Sequence, residues 1–168
     1  MKAAMELAFQ TAAPVYLRIG KGDLGPVHTA QPGLEWGRLL PVRPGSGPLV
    51  FIATGSMLTL AVKLAEEWPG CAVWSAPSLK PLEIESVVSA CGKHRVVVTL
   101  EEHNVIGGLG GAVAEILSQE QPLPLCRIGV PDQFSRLCGS YSYLMREHGL
   151  DIDSVRARIH AFTKKHSL

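Results

Sequence analysis

No stretch of this 168-residue chain approaches the run of about 18 apolar residues that a membrane-spanning helix needs. Basic runs are absent beyond Lys164-Lys165, and the formal net charge is +1. Neither a nucleic acid nor a membrane surface is therefore expected as a partner. Cysteine is sparse, at positions 71, 91, 126 and 138 only, and no two form a C-x-x-C pair. That leaves reduced, mostly buried thiols in or beside apolar stretches, and no zinc site is expected. No Ser/His/Asp set stands out, and Gly55-Ser56 is not a G-x-S-x-G elbow. Asparagine occurs once, as Asn104. Lys2 and Glu6 flank a short Ala-rich stretch without the long apolar core of a signal peptide, so a cytoplasmic location is expected.

What is present is a globular composition, 46% hydrophobic and 18% charged. A domain of this length buries about 70% of the surface its unfolded chain exposes and needs no staple. The spacing predicts a short helix from Met1 to Ala13, then a strand, Val15-Tyr16-Leu17-Arg18-Ile19. Gly20 to Pro48 carries seven glycines and five prolines and reads as a linker. Within it, Leu34-Glu35-Trp36 and Leu39-Leu40-Pro41-Val42 can form a small hairpin.

Beyond Pro48 the pattern changes. Leu49 to Ala53 is a continuous apolar run, followed by Leu58, Leu60, Ala61, Leu64 and Ala65 at helical spacing. Cys71 to Trp74 is a second strand, and Leu82 to Cys91 a helix with Ile84, Val87, Val88 and Cys91 on one face and Gly92 as its stop. Arg95 to Leu100 is a third strand, Gly110 to Leu117 a helix, and Leu125 to Ile128 a fourth strand. Two helices close the chain. The last has Asp151 as N-cap, a staple between Leu150 and Val155, and a buried stripe of Ile152, Val155, Ile159 and Phe162. Strands without alternation belong to a parallel sheet covered on both faces, and helices between them supply the crossovers. The expected fold is α/β, a three-layer αβα sandwich with a mostly parallel sheet over residues 49–168.

The richest segment is Thr99-Leu-Glu-Glu-His-Asn-Val-Ile-Gly-Gly-Leu-Gly-Gly111. Gly107, Gly108, Gly110 and Gly111 open a helix, where backbone N–H groups attract anions. Asp132 follows Gly108 by about 24 residues, near where a ribose-binding acid would sit. Against a nucleotide site, Val113 replaces the third small residue, and the turn follows the third strand of the domain. The same glycines also suit tight packing on the sheet or on a neighbouring subunit. Glu101, Glu102 and His103 lie at the carboxyl edge of a central strand, where α/β folds place their sites. His103 can shuttle a proton or meet another chain. Arg18, beside glycines at a strand end, can hold a phosphate through two parallel hydrogen bonds or be an ordinary surface arginine.

Taken together, Pro14-Val-Tyr-Leu-Arg-Ile-Gly-Lys-Gly22, Ala53-Thr-Gly-Ser56, Pro81-Leu-Glu83, the Thr99–Gly111 segment, Arg127-Ile-Gly-Val-Pro-Asp-Gln-Phe134 and His148-Gly-Leu-Asp151 resemble the transketolase C-terminal section. Deoxyxylulose-phosphate synthases and the β subunits of 2-oxo-acid dehydrogenases share this domain. The resemblance implies residues 1–25 as the tail of a pyrimidine-binding domain, 26–48 as linker and 49–168 as the transketolase C-terminal domain. It implies part of a thiamine-diphosphate-dependent ketol transferase, with Arg18 gripping the substrate's phosphate and no catalytic residue of the chain's own. Implied partners are the N-terminal section or subunit of the same enzyme and further copies of the chain, as a homo-oligomer. The family holds its coenzyme's diphosphate through Mg²⁺ or Ca²⁺, with a G-D-G motif and a later asparagine supplying oxygen ligands. Here Gly22-Asp23-Leu24 departs from that motif. The chain alone is therefore expected to bind no cofactor or metal and to be inactive. The alternative kept open is a stand-alone nucleotide- or phosphate-binding domain built on Gly107 to Gly111 and Asp132.

Overall fold

The structure, a computed structural model, describes residues 1–20 and 25–167. Gly22-Asp23-Leu24 lies outside the described residues. Eleven elements follow in order among those described: α1 (Lys2–Gln10), β1 (Leu40–Arg43), β2 (Leu49–Ala53), α2 (Met57–Leu64), β3 (Ala72–Ser75), α3 (Ile84–Cys91), β4 (Val96–Asn104), α4 (Leu109–Glu120), β5 (Leu125–Val130), α5 (Tyr141–Glu147) and α6 (Ile152–Lys165).

β2, β3, β4 and β5 pair in parallel, with β1 antiparallel at one edge, in the order β1-β3-β2-β4-β5. The apolar runs lack alternation because both faces are covered. Leu49, Phe51, Ala53, Val96, Val98 and Leu100 pack beneath α2 and α6, which add Ala61, Leu64, Val155 and Ile159. Val50, Ile52 and Val97 turn to the other face, where α3 and α4 supply Val87, Ala90, Val113 and Leu117. This is the αβα sandwich expected from the sequence. Asp151 caps α6 as expected, its Oδ1 accepting from the Asp153 and Ser154 amides at 3.2 Å each. Leu150 and Val155 beside it are fully buried.

Several expectations change. Val15 to Ile19 joins no ladder among the described residues, and Tyr16 is 86% exposed. A strand exists only where a neighbour takes its backbone groups, and no described residue is paired with this one. The hairpin does not form either. β1 instead adds to β3, pairing Leu40 with Ser75 and Pro41 with Trp74. An edge tolerates Pro41 because that residue has no N–H to offer a second neighbour. The glycines after β1 serve close approach: a Cβ on Gly45 would stand 2.3 Å from the Gly70 carbonyl oxygen, and the Gly47 amide donates to that oxygen at 2.7 Å. Part of the Gly/Pro-rich stretch is thus bound into the sandwich.

On α3 the buried residues are Val87, Ala90 and Cys91, while Ile84 is half exposed. Gly92 after it has a right-handed φ of −60°, so its left-handed freedom is not what stops the helix. Finally, β4 runs four residues further than predicted and carries Glu101, Glu102 and His103 within the strand.

Candidate functional site

The sheet order fixes where a site belongs. From β2 the chain moves outward to β3, then crosses back to β4 on the other side of β2. The loops leaving β2 and β4 therefore diverge at their carboxyl ends, the place where open α/β sheets form a crevice. In this protein Glu102 at the end of β4 is hydrogen-bonded there to Ser56 after β2 and to Tyr141.

β4 pairs regularly with β5 up to Leu100–Ile128, and its register then shifts before Asn104 meets Val130. Such a bulge re-aims the residues within it. Glu101 enters the core and is completely buried. Its Oε2 accepts the Leu109 amide and its Oε1 the Gly110 amide, each at 2.8 Å. A buried carboxylate is tolerable only when paired, and the first amides of α4 with the helix dipole provide the pairing. Those are the amides a bound phosphate would use, and Glu101 already holds them.

The glycines divide by role. A Cβ on Gly108 would lie 1.8 Å from Glu101 Oε2, so only glycine fits over the carboxylate. On Gly110 it would meet Thr99 Oγ1 at 2.8 Å and Arg127 Cγ at 2.9 Å, which sets α4 close against the sheet. Gly107 adopts φ +74°, the left-handed region that favours glycine. Gly111 has nothing within 4 Å of its notional Cβ.

On the other side of the bulge lies Glu102. Its Oε2 accepts from the Tyr141 hydroxyl at 2.9 Å and from Ser56 Oγ in a very short contact. Its backbone carbonyl accepts from Arg18 Nη1 at 2.9 Å. Burial, opposed in part by the Ser56 hydrogen bond, pushes the Tyr141 hydroxyl above its ordinary range, and the Glu102 carboxylate adds to the shift. Asn104 organises the last turn. Its Oδ1 accepts the Ile106 amide at 2.7 Å, and its Nδ2 donates to Asp132 Oδ1 at 2.8 Å. Asp132 is therefore tied to the end of β4.

Of the residues singled out from sequence, Glu101, Gly108 and Gly110 come together in one packed unit, and Arg18 and Glu102 in another. The His103 side chain is exposed and bonds to no described residue. Ser56 and Tyr141 were not foreseen. Ser56 had a signal in hindsight, since it follows β2 at the crevice, whereas Tyr141 stands 39 residues from Glu102 with nothing local to mark it. Among the described residues no group of three or more His, Cys, Asp or Glu could hold a metal ion. No helix among them is long and apolar enough to cross a membrane.

Comparison with known proteins gives one consistent result. Residues 37–155 match the family model of the transketolase C-terminal domain. An apulose-4-phosphate transketolase subunit of Actinobacillus succinogenes is 31% identical over 156 residues, covering 90% of this chain and 50% of that protein. The 6-deoxy-6-sulfo-D-fructose transketolase subunit SqwH of a Clostridium species is 32% identical over 169 residues, covering 98% of this chain and 52% of that protein. A 1-deoxy-D-xylulose-5-phosphate synthase of Chlorobium luteolum is 35% identical over 161 residues, 92% of this chain and 25% of that protein. Among solved structures, a split-gene transketolase in an inactive β4 tetramer superposes with a TM-score of 0.87 at 33% identity, over 97% of this chain and 54% of that one. The chain thus spans about half the length of the two transketolase subunits. With its matched span, its identities and its αβα sandwich in agreement, this chain belongs to the transketolase C-terminal domain family.

Proposed function

We propose that this chain is the C-terminal part of a thiamine-diphosphate-dependent ketol transferase of the cytoplasm, acting in carbohydrate metabolism together with the section its longer relatives also carry. The observation that supports this most is coverage: nearly all of this chain aligns, to only half of two transketolase subunits. Residues 1–25 then belong to the pyrimidine-binding domain, residues 26–48 connect the two parts while lending β1 to the sheet, and residues 49–168 form the C-terminal domain. Uncovered apolar surface on α1 fits that division. Met1, Met5 and Phe9 recur every fourth residue and are 66%, 52% and 93% exposed, a stripe that the preceding section would cover.

The described residues do not fit the coenzyme. The helix terminus suited to a diphosphate is closed by Glu101, and no carboxylate cluster stands ready for its Mg²⁺ or Ca²⁺. Thiamine diphosphate, when bound, supplies the carbanion chemistry of such transferases, so its ligands must come from the other section. This chain's contribution is binding. Arg18 is exposed, and its guanidinium has a single hydrogen bond and no carboxylate within ion-pair distance among the described residues. Its remaining N–H groups suit a tetrahedral oxyanion held by two parallel hydrogen bonds. Two relatives are named for sugars carrying such a group, a phosphate in one and a sulfonate in the other. Self-association through the carboxyl-edge loops, from His103 to Gly111, fits the exposed Ile106 and Phe134 and the β4 assembly of the similar structure.

Calorimetry tests the reading. The chain alone, titrated with thiamine diphosphate and Mg²⁺, is expected to give no binding heat, and adding the missing section is expected to restore binding and ketol transfer from a ketose phosphate. Tight coenzyme binding by the chain alone overturns it.

A further inference from the structure

We propose that Glu102 is a positioning residue for oxyanion recognition: hydrogen-bonded to Ser56 and Tyr141, it fixes the bulged end of β4 so that its carbonyl aims the Arg18 guanidinium. The inference rests on the reading of Arg18 as the group that grips the substrate's phosphate or sulfonate. It goes further by assigning the aim of that arginine to the C-terminal domain.

The geometry carries the argument. Arg18 lies in a segment, residues 14–20, that has no ladder partner among the described residues. A long side chain on such a segment loses much rotamer freedom on ordering, and something must hold it if it is to meet a ligand in one orientation. Among the described residues the hold is a single bond to the Glu102 carbonyl across 84 residues of sequence, at 2.9 Å. That carbonyl belongs to the bulge, where β4 has left its regular register with β5. Glu101 anchors one side of the bulge in the amides of α4. Glu102 anchors the other, because its Oε2 takes hydroxyls from the loop after β2 and from α5. The Glu102 carbonyl directly follows the second of these two anchored side chains, so its direction is held. A carbonyl is also a suitable partner here. It takes one N–H of the guanidinium without cancelling its charge, whereas a carboxylate would compete with the incoming oxyanion. The same web explains why Ser56, Glu102 and Tyr141 converge although no open cleft needs them.

The test uses the complete assembly, this chain with the section its relatives carry, and three acceptor aldoses of equal length: phosphorylated, sulfonated and uncharged. The readout is the ratio of kcat/KM for a charged acceptor to that for the uncharged one. Tyr141→Phe and Ser56→Ala are each expected to lower that ratio about fivefold, through KM, as for one hydrogen bond lost, and Glu102→Ala, which loses both, to lower it further. Glu102→Gln keeps the accepting oxygen and is expected to restore the ratio. The phosphate and sulfonate arms show which oxyanion is used.

Arg18→Ala separates the two claims. If it leaves the preference for charged acceptors intact, the reading of Arg18 as the oxyanion grip fails, and the positioning claim fails with it. If it abolishes the preference while the Ser56, Tyr141 and Glu102→Ala variants keep the full ratio, only positioning fails. A readout independent of activity comes from NMR of the Arg18 guanidinium in this chain. Rotation about the Cζ–Nη1 bond is expected to speed up in Tyr141→Phe, and an unchanged rate overturns the proposal. Should Glu102→Ala not fold, Tyr141→Phe carries the test.

Discussion

A methyl group added to Gly108 would stand 1.8 Å from Glu101 Oε2 and 2.9 Å from the Asn104 carbonyl. Both neighbours are held, one by the amides of α4 and the other by the bulge, so neither can yield cheaply. Gly108→Ala is therefore expected to destabilise the chain by about 1–3 kcal/mol, measured by denaturant unfolding. Gly111→Ala is the control. Its methyl meets nothing within 4 Å and lies in a helix, so stability should rise by roughly 0.5–1 kcal/mol. If Gly111 faces another subunit, the same variant will weaken assembly while strengthening the isolated chain. Sedimentation velocity separates the two effects.

The thiols respond to burial in the same local way. Burial pushes Cys91 to about 12 and Cys126 to about 11, the latter held back slightly by Arg158. Cys138 is exposed. Iodoacetamide at pH 8 is expected to label Cys138 first and leave Cys91 and Cys126 protected until the chain unfolds, as mass spectrometry of timed samples would show. The sign of the pH dependence follows. The folded chain keeps protons on these sulfurs that the unfolded chain releases near pH 9, so stability is full below that pH. It is expected to fall as pH rises from about 9 toward the folded values of about 11 and 12. An alkaline denaturation series checks this.

Elements differ in how much of themselves their own sequence explains. α6 is nearly self-describing. Asp151 accepts the Asp153 and Ser154 amides, and hydrogen bonding from the Ser154 side chain, opposed by burial and helped by the amides, holds its carboxyl below the usual carboxylate range. Asp151→Ala is expected to cost about 1 kcal/mol, seen as a lower melting temperature for the whole domain because Val155 and Ile159 bind α6 to the sheet. β2 is equally plain, since five apolar residues in a row fit only a strand covered on both faces. β4 is not. Its apolar part ends at Leu100, and the polar Glu-Glu-His that follows reads as a loop. It remains strand because Glu101 finds amides inside the core and Glu102 finds hydroxyls above it. Residues 14–20 failed in the opposite direction: their apolar, β-prone sequence was legible, but a strand also requires a neighbour.

At the scale of the whole molecule, a sandwich complete in its layers carries exposed apolar residues, two groups of which bear on assembly. One is the α1 stripe of Met1, Met5 and Phe9, and the other is the carboxyl edge with Ile106 and Phe134. If the relatives' other section covers the first and a second copy covers the second, each contact should be separable. Phe9→Asp is expected to weaken capture of the N-terminal section at least tenfold while sparing self-association. Phe134→Asp should do the reverse, with light scattering and pull-down as readouts. Loss of both associations in either variant would argue for one shared surface.

By itself the sequence determined the layers of this protein, because hydrophobic periodicity and helix caps act between residues a few positions apart. It also carried the family, since Thr99–Gly111 and Arg127–Phe134 are contiguous segments. Which carboxylate would be buried under a helix, and which would tether Ser56, Tyr141 and, through its carbonyl, Arg18, was decided only in three dimensions. Those partners lie 8 to 84 residues away, and the two glutamates differ in nothing but the side of a bulge on which each falls.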